Sequence, residues 1–467
     1  MRKKRVVILS ALFIATVAAG AWVFFFWLAP RTSGPLRHDV YVWQRAWTKP
    51  VRDAVTQHAT NFAEIAVLKA EISWKTNRQP QLARANVDYE TLAQAGRPVG
   101  ITLRIGSYAG PFLPPGDFGL RGQAQRDPAL ATTAQGTNGS KAPSSLRSAG
   151  AVQDTSVTDY LCNVAAGIVN EARTNRVPLA ELQIDFDCAE SKLDGYRVWV
   201  EAIQRRVAPL PVTITALPSW LDSRAFKRLA AVATNYVLQV HSVERPKSFT
   251  APFTLCDPRA ARRAVERAGR IGVPFRVALP TYGYLLAYDA SGKFISLSAE
   301  GPRPNWPTNA QLREVSSDAV ALAELVQTWT ADRPAALRGV IWYRLPTIVD
   351  NFNWRWPTLG AILAARIPQE KFSVNLRRVE SGLVEISLAN AGELDVSSRL
   401  AVEVHWSKAR LIAGDALRDF ELVDRQTATA RFQTKSQPVR VRAGDQRVLG
   451  WLRFDQDCEA QGELKKL

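Results

Sequence analysis

Three features of this 467-residue chain predict its fold class. Between residues 36 and 367, eight short strand-like segments alternate with eight helix-like segments. From residue 371 to 467 the texture changes to short runs of alternating apolar and polar residues. Residues 6–30 form an apolar run broken only by Ser10 and Thr16. Together they predict an α/β protein: a (β/α)8 TIM barrel with a C-terminal immunoglobulin-like β-sandwich and an N-terminal transmembrane helix. The predicted domains are a membrane anchor at 1–30, the barrel at 36–367 with a flexible insertion at about 111–155, and the sandwich at 371–467.

The elements follow in order. Residues 40–43 read as the first strand, with a helix over 51–62. Residues 64–72 are the second, with a helix over 83–95. Residues 100–105 are the third, and its helix comes late, over 156–174. The intervening stretch is rich in Gly, Pro, Ser, Ala, Thr and Gln and has too few large apolar residues to bury much surface, so a long loop is expected. Residues 182–187 form the fourth strand, with a helix over 196–206. The fifth strand is 212–217 with a helix over 223–233, and the sixth is 236–241. Asp257-Pro258 then reads as an N-cap followed by a first-turn proline. Residues 275–279 are the seventh strand, and Ser317 caps a helix over 318–330. Residues 339–345 are the eighth, with a helix over 358–365. A doubly wound open sheet is the competing architecture, but no glycine-rich phosphate loop follows the first strand.

The segment Leu182-Gln183-Ile184-Asp185-Phe186-Asp187-Cys188-Ala189-Glu190 is the most informative in the chain. Strand side chains alternate, so Leu182, Ile184 and Phe186 face one way and Gln183, Asp185 and Asp187 the other. Two carboxylates on one strand face repel each other and lose hydration when buried, so they call for cations, hydrogen bonds or a substrate. With Glu190 just beyond, they are the parts needed for general acid/base chemistry at the C-terminal end of a barrel strand. The same alternation predicts a polar lumen: Lys69 and Glu71, Thr102 and Arg104, Thr213 and Thr215, Gln239 and His241, Arg276, then Trp342 and Arg344. These groups can instead pair with one another, Arg104 or Arg276 with Asp185 and Lys69 with Glu71. Aromatic residues gather at the expected rim, among them Trp74, Trp220 and Tyr282. Flat rings beside polar groups suit a sugar, whose C–H face stacks while its hydroxyls hydrogen-bond.

Four segments carry a resemblance: Gln183-Ile184-Asp185-Phe186-Asp187-Cys188, Thr215-Ala216-Leu217-Pro218-Ser219-Trp220, Leu238-Gln239-Val240-His241 and Ala278-Leu279-Pro280-Thr281-Tyr282-Gly283. Over roughly residues 36–365 the chain resembles an uncharacterised bacterial barrel family catalogued as a domain of unknown function. More distantly, the fourth strand is similar to that of family-18 chitinase-like glycosidases. Their pattern of alternating aspartates ends on a glutamate that serves as acid/base. Asp185 and Asp187 match the last two aspartates, Ala189 stands at the glutamate's place, and Glu190 comes one residue later. A one-residue offset reverses a strand side chain's direction. Trp342 matches the tryptophan that floors the sugar site in those enzymes.

The formal charge is +17, of which Arg2, Lys3, Lys4 and Arg5 supply four. The rest is spread along the chain, with no basic motif for nucleic acid. The basic flank before residues 6–30 stays cytoplasmic by the positive-inside rule, which puts the folded domains on the periplasmic or extracellular side of a single-pass signal anchor in the inner membrane. Cleavage at Ala19-Gly20-Ala21 would leave a greasy terminus beginning at Trp22, which argues against a removed signal. Four cysteines in an exported chain suggest disulfides, with Cys162–Cys188 the favoured bridge and Cys256–Cys458 the remaining pair. No metal or organic cofactor is implied.

The expected function is therefore an anchored glycoside-hydrolase-like barrel acting on or binding a polysaccharide or oligosaccharide. Asp185, Asp187 and Glu190 are the candidate catalytic residues, with Glu190 as the acid. Gln239, His241, Tyr282, Trp342, Arg344, Trp220 and Trp74 are the candidate binding residues. The alternative is a non-catalytic module of the cell envelope that grips a glycan or a protein partner.

Overall fold

The computed structural model describes residues 29–74, 79–110, 112, 156–242, 246–299, 304–436 and 438–467. The N-terminal apolar run up to residue 28 and the insertion at 113–155 lie outside the described residues. Among the described residues, no helix is long and apolar enough to cross a membrane.

Eight parallel strands close into a ring: β1 (Arg37–Val42), β2 (Ile65–Trp74), β3 (Val99–Ile105), β4 (Leu179–Asp185), β5 (Val212–Ala216), β6 (Tyr236–Gln239), β7 (Phe275–Pro280) and β8 (Leu337–Tyr343). Each strand pairs with the next, and β8 pairs with β1. Each strand is followed by a helix, in order α1 (Lys49–His58), α2 (Tyr89–Ala95), α3 (Val157–Thr174), α4 (Leu193–Val207), α5 (Arg224–Ala233), α6 (Pro258–Ile271), α7 (Ala319–Ala331) and α8 (Trp356–Leu363). The outward strand residues and the inner helix faces make one continuous core, in which Trp199, Trp220, Trp329 and Trp342 are the bulkiest side chains. Area removed from water at this layer is the main force closing the barrel.

Local chemistry explains the element ends. Asp257 accepts hydrogen bonds from the amides of Arg259 and Ala260, and Pro258 opens α6. Asp318, rather than Ser317, caps α7 by accepting from the amide of Ala321. Ser317 instead donates to the carbonyl of Tyr282. The helix expected over 83–95 is shorter. Its first part is the strand Pro80–Arg84, which doubles back antiparallel on the upper half of β2. Between β7 and α7 an antiparallel three-stranded sheet rises, formed by Gly283–Tyr288, Phe294–Ser298 and Gln311–Ser316.

Beyond residue 370, two four-stranded antiparallel sheets enclose a second core. One contains Leu383–Asn390 and Gln446–Phe454; the other contains Leu400–Trp406 and Thr429–Thr434. Inward residues such as Ile386, Leu388, Val402, Val404, Phe432 and Leu452 alternate with polar ones, as a two-sheet sandwich requires. The sandwich grips the barrel through two arginines. Arg440 pairs with Glu314 and Asp395 and donates to the carbonyl of Asn351; Arg442 donates to the carbonyls of Asp350 and Asn351.

All four cysteines are free thiols, so the expected Cys162–Cys188 and Cys256–Cys458 bridges are absent. Cys162 lies on α3 and packs with Cys188 and Cys256 into the apolar layer between strands and helices, while Cys458 packs on the sandwich core.

Candidate functional site

The lumen is built in layers. At the floor, Asp39 of β1, Glu64 just before β2, Glu181 of β4 and Arg276 of β7 meet within the ring. Arg276 Nη1 lies 3.1 Å from Asp39 and 3.4 Å from Glu64, and its other terminal nitrogen pairs with Glu181. Arg37 closes the cluster from outside, 2.8 Å from Asp39 and 2.6 Å from Glu64. Space for these carboxylates comes from Gly100, where a Cβ would stand 3.0 Å from Glu64 Oε1. Burial, reinforced by Glu181, pushes the Glu64 carboxyl up to about 8, whereas Arg276 and Thr213 outweigh burial at Glu181 and hold it below the ordinary range. Gln183 donates to Glu181 and accepts from the Tyr41 hydroxyl at 2.7 Å, which ties the floor to the layer above.

Above that layer opens a cavity of about 190 Å³ at the C-terminal ends of the strands. One wall is acidic. Asp185, the last residue of β4, accepts from the Thr215 hydroxyl at 2.8 Å and lies 3.6 Å from Arg104 Nε. Burial raises its carboxyl against the pull of both partners. Asp187, two residues on and facing the same way, lines the mouth and is solvent-exposed. Crowding by protein removes part of its hydration, and the charge of Asp185 adds to this, so its carboxyl is pushed up to about 6.

The opposite wall is neutral and hydroxyl-rich. His241 Nδ1 lies 3.1 Å from the Tyr282 hydroxyl, and burial pushes the imidazole down to about 3, so it is uncharged at neutral pH. Ser242 has its backbone in the left-handed region, at φ 53°. Its hydroxyl reaches both Tyr282, at 2.5 Å, and Tyr284, at 3.0 Å. Gln239 lines the cavity beside them. The remaining surface is aromatic: Trp43 stands edge-on to Tyr41 with ring centroids 5.2 Å apart, and 5.4 Å from Tyr343.

Of the residues singled out from the sequence, the structure brings Asp185, Asp187, Gln239, His241 and Tyr282 to this cavity. It places the others elsewhere. Glu190 begins a short 3-10 turn past the end of β4, is exposed, and is not among the cavity-lining residues. Trp342 faces outward, fully buried, with its indole N–H donating to His38 at 3.2 Å. Strand alternation puts Gly339, whose Cβ would stand 2.5 Å from the Arg37 carbonyl, on the opposite face. With that spacing Ile341 and Tyr343 share the lumen cluster with Tyr41 and Trp43. Arg344 is buried against Asp350, 2.7 Å away, outside the cavity lining. Trp220 packs in the outer core on Phe226, and Trp74 packs on Tyr108 with ring centroids 4.6 Å apart.

Of the expected lumen pairs, Arg104 with Asp185 is present, whereas Lys69 with Glu71 is not. A register shift between Leu68 and Ala70 turns Lys69 out to Glu171 on α3, at 2.7 Å, and Glu71 pairs with Arg45. Sequence reasoning missed Tyr41, Trp43, Ser242 and Tyr343. The first two were legible, since Asp39-x-Tyr41-x-Trp43 shows the same alternation on β1 that was applied to the other strands. Among the described residues, one group could hold a metal: Glu403, His405 and Glu463, on the sandwich. Glu403 there already pairs with Lys465 at 2.5 Å.

Fold and site together define a closed parallel barrel whose polar mouth carries a carboxylate pair. Residues 146–348 match the family described as domain of unknown function DUF3142, and residues 374–455 match a second, DUF8456. No curated protein matches the chain. Solved structures similar to it include the spore cortex-lytic enzyme SleL of Bacillus megaterium, at 11% identity over 72% of this chain and 75% of that one, with a TM-score of 0.45. A chitinase of Chromobacterium violaceum follows at 12% identity, covering 71% and 98%, with a TM-score of 0.42. The GH18 chitinase ChiB of Flavobacterium johnsoniae gives 10%, covering 67% and 89%, with 0.39. These matches meet the two resemblances read from the sequence, to an uncharacterised barrel family and, distantly, to chitinase-like proteins. At such values they carry no argument about this chain's chemistry, which rests on the cavity itself.

Proposed function

We propose that this protein is an exported, membrane-anchored glycoside-hydrolase-like barrel that takes one end of a polysaccharide into its cavity. The observation that carries the reading is the pair Asp185, at the end of β4, and Asp187, just beyond it, both lining an aromatic-walled cavity of about 190 Å³. A cavity of about 150 Å³ accommodates a benzene ring, so this one has room for a single sugar ring. Tyr41, Trp43 and Tyr343 offer faces for its C–H surface, and the hydroxyls of Ser242, Tyr282 and Tyr284 offer partners for its own.

In this reading the proton donor is Asp187, not Glu190. Its carboxyl, near 6, carries a proton in a useful fraction of molecules close to neutrality. Asp187 gives that proton to the glycosidic oxygen as the C–O bond breaks. Asp185, held by Thr215 and Arg104, faces the positive charge that develops on the sugar. Water then adds to the freed carbon and returns a proton to Asp187. The apolar run at 6–30 anchors the chain, with the barrel and sandwich outside the cytoplasm.

The test is release of new reducing ends from a panel of glycans. Asp187→Asn should lower turnover by about 10²–10⁴-fold, the usual contribution of a general acid, while Glu190→Gln leaves it unchanged. Full turnover by Asp187→Asn would refute the assignment. A second reading, a barrel that holds a glycan without cleaving it, is favoured by the position of Glu190 outside the cavity. Saturable glycan binding with no reducing ends from the wild-type chain would decide for it.

A further inference from the structure

The end of the barrel opposite the cavity carries a second surface. Here the strands begin and the helices finish, and here the chain enters the fold. The amide of Ala335 donates to the carbonyl of Pro30 at 2.6 Å, and Arg31–Thr32 pairs antiparallel with Arg333–Pro334. Pro334 packs so closely on α6 that a Cβ at Gly269 would stand 2.4 Å from it, with the Ala29 side chain 3.5 Å away. Ala29 and Pro30 therefore lie beside the C-terminal end of α6.

Six exposed arginines occupy that same end: Arg173 and Arg176 at the close of α3, Arg205 and Arg206 at the close of α4, Arg270 on α6, and Arg338 at the start of β8. None has an ion-pair partner among the described residues. The acidic groups nearest the entry point, Asp332 and Glu266, are both taken up by Arg31, at 2.6 and 2.7 Å. Basic residues in a last helical turn complement the helix dipole, which accounts for Arg173, Arg205, Arg206 and Arg270. It does not account for Arg176, past the end of its helix, or for Arg338, on a strand.

We infer that this end of the barrel lies on a bilayer of anionic phospholipids, its arginines against the headgroup phosphates, so that the cavity mouth points away from the membrane. The inference rests on the anchor reading and adds an orientation to it. Charge complementarity, and the position of Ala29 and Pro30 on the same face, argue for a lipid surface as the partner.

The full chain would be reconstituted into nanodiscs of phosphatidylglycerol or of phosphatidylcholine. Exposed arginines would then be modified with phenylglyoxal and read by mass spectrometry. In phosphatidylglycerol, labelling of the six should fall by about threefold or more relative to phosphatidylcholine and recover in about 1 M salt, where the screening length is about 3 Å. Arg259, at the mouth end of α6, and Arg418, on the sandwich, should label equally in both lipids. Equal labelling of the six in the two lipids, in a chain that has entered both kinds of disc, overturns the orientation alone. A chain that enters neither kind overturns the anchor reading and the orientation with it.

Discussion

Replacing Arg276 by Met is the sharpest test of how the lumen is held together. The side chain is 4% exposed and faces three carboxylates, those of Asp39, Glu64 and Glu181. Without it, Arg37 still pairs with Asp39 and Glu64, and among the described residues Glu181 is left with no cation. Breaking a buried ion pair by removing one partner costs about 3–5 kcal/mol, because charge is left uncompensated. That is a large share of the 5–15 kcal/mol by which a typical domain is stable. The sign of the pH dependence follows from the shifts. Arg276 holds the folded-state Glu181 carboxyl low, so in the wild type Glu181 contributes stability above its ordinary range and loses it as pH falls. Glu64, raised to about 8, does the reverse: its contribution is full at low pH and is lost as pH climbs toward 8. Removing Arg276 raises both carboxyls further, so the gap between variant and wild type should widen from pH 5 to pH 8. Urea unfolding followed by tryptophan fluorescence at the two pH values measures it. A loss below about 1 kcal/mol at pH 8, or the same loss at both, would refute the account of the floor as a charge-balanced cluster.

Four further outcomes follow from the geometry. Trp342→Ala should destabilise the barrel by about 3–5 kcal/mol, the usual cost of emptying a buried tryptophan site, and calorimetry measures it. Tyr343→Ala should instead weaken glycan binding by about tenfold, the loss of one stacking face, in a titration with oligosaccharide. The imidazole of His241, followed by NMR, should stay neutral down to about pH 4, so that any activity change between pH 5 and 7 follows the Asp187 carboxyl and disappears in Asp187→Asn. In the native protein, iodoacetamide should modify Cys458 well before Cys162, Cys188 and Cys256, which are buried with their thiols pushed up to about 11 or 12.

Much of the barrel was legible because period-two alternation followed by a capped helix is a strong local signal. It is repeated here eight times and marked by features such as Asp257-Pro258. The acidic strand could be read for the same reason: Leu182, Ile184 and Phe186 leave Asp185 and Asp187 no choice of face. The eighth strand was misread because alternation alone does not say which face meets the lumen: Ile341 and Tyr343 do, and Trp342 is buried in the outer core. The expected parity, and the match to the tryptophan of chitinase-like glycosidases, then made Trp342 a site residue. Lys69 was misplaced by a register shift that alternation cannot foresee. The aromatic wall is legible by the same rule, since Asp39-x-Tyr41-x-Trp43 alternates on β1 as the other strands do.

The grip of Arg440 and Arg442 on the backbone of Asp350 and Asn351 bears on how the protein can be dissected. Asp350 is also the anchor of Arg344, immediately after the Tyr343 that walls the cavity. The C-terminal domain thus acts as a splint on one lip of the mouth. A fragment trimmed at residue 370 would keep every cavity-lining side chain and still lose the brace that sets the tilt of that lip, so ligand affinity measured on such a fragment would understate that of the intact chain.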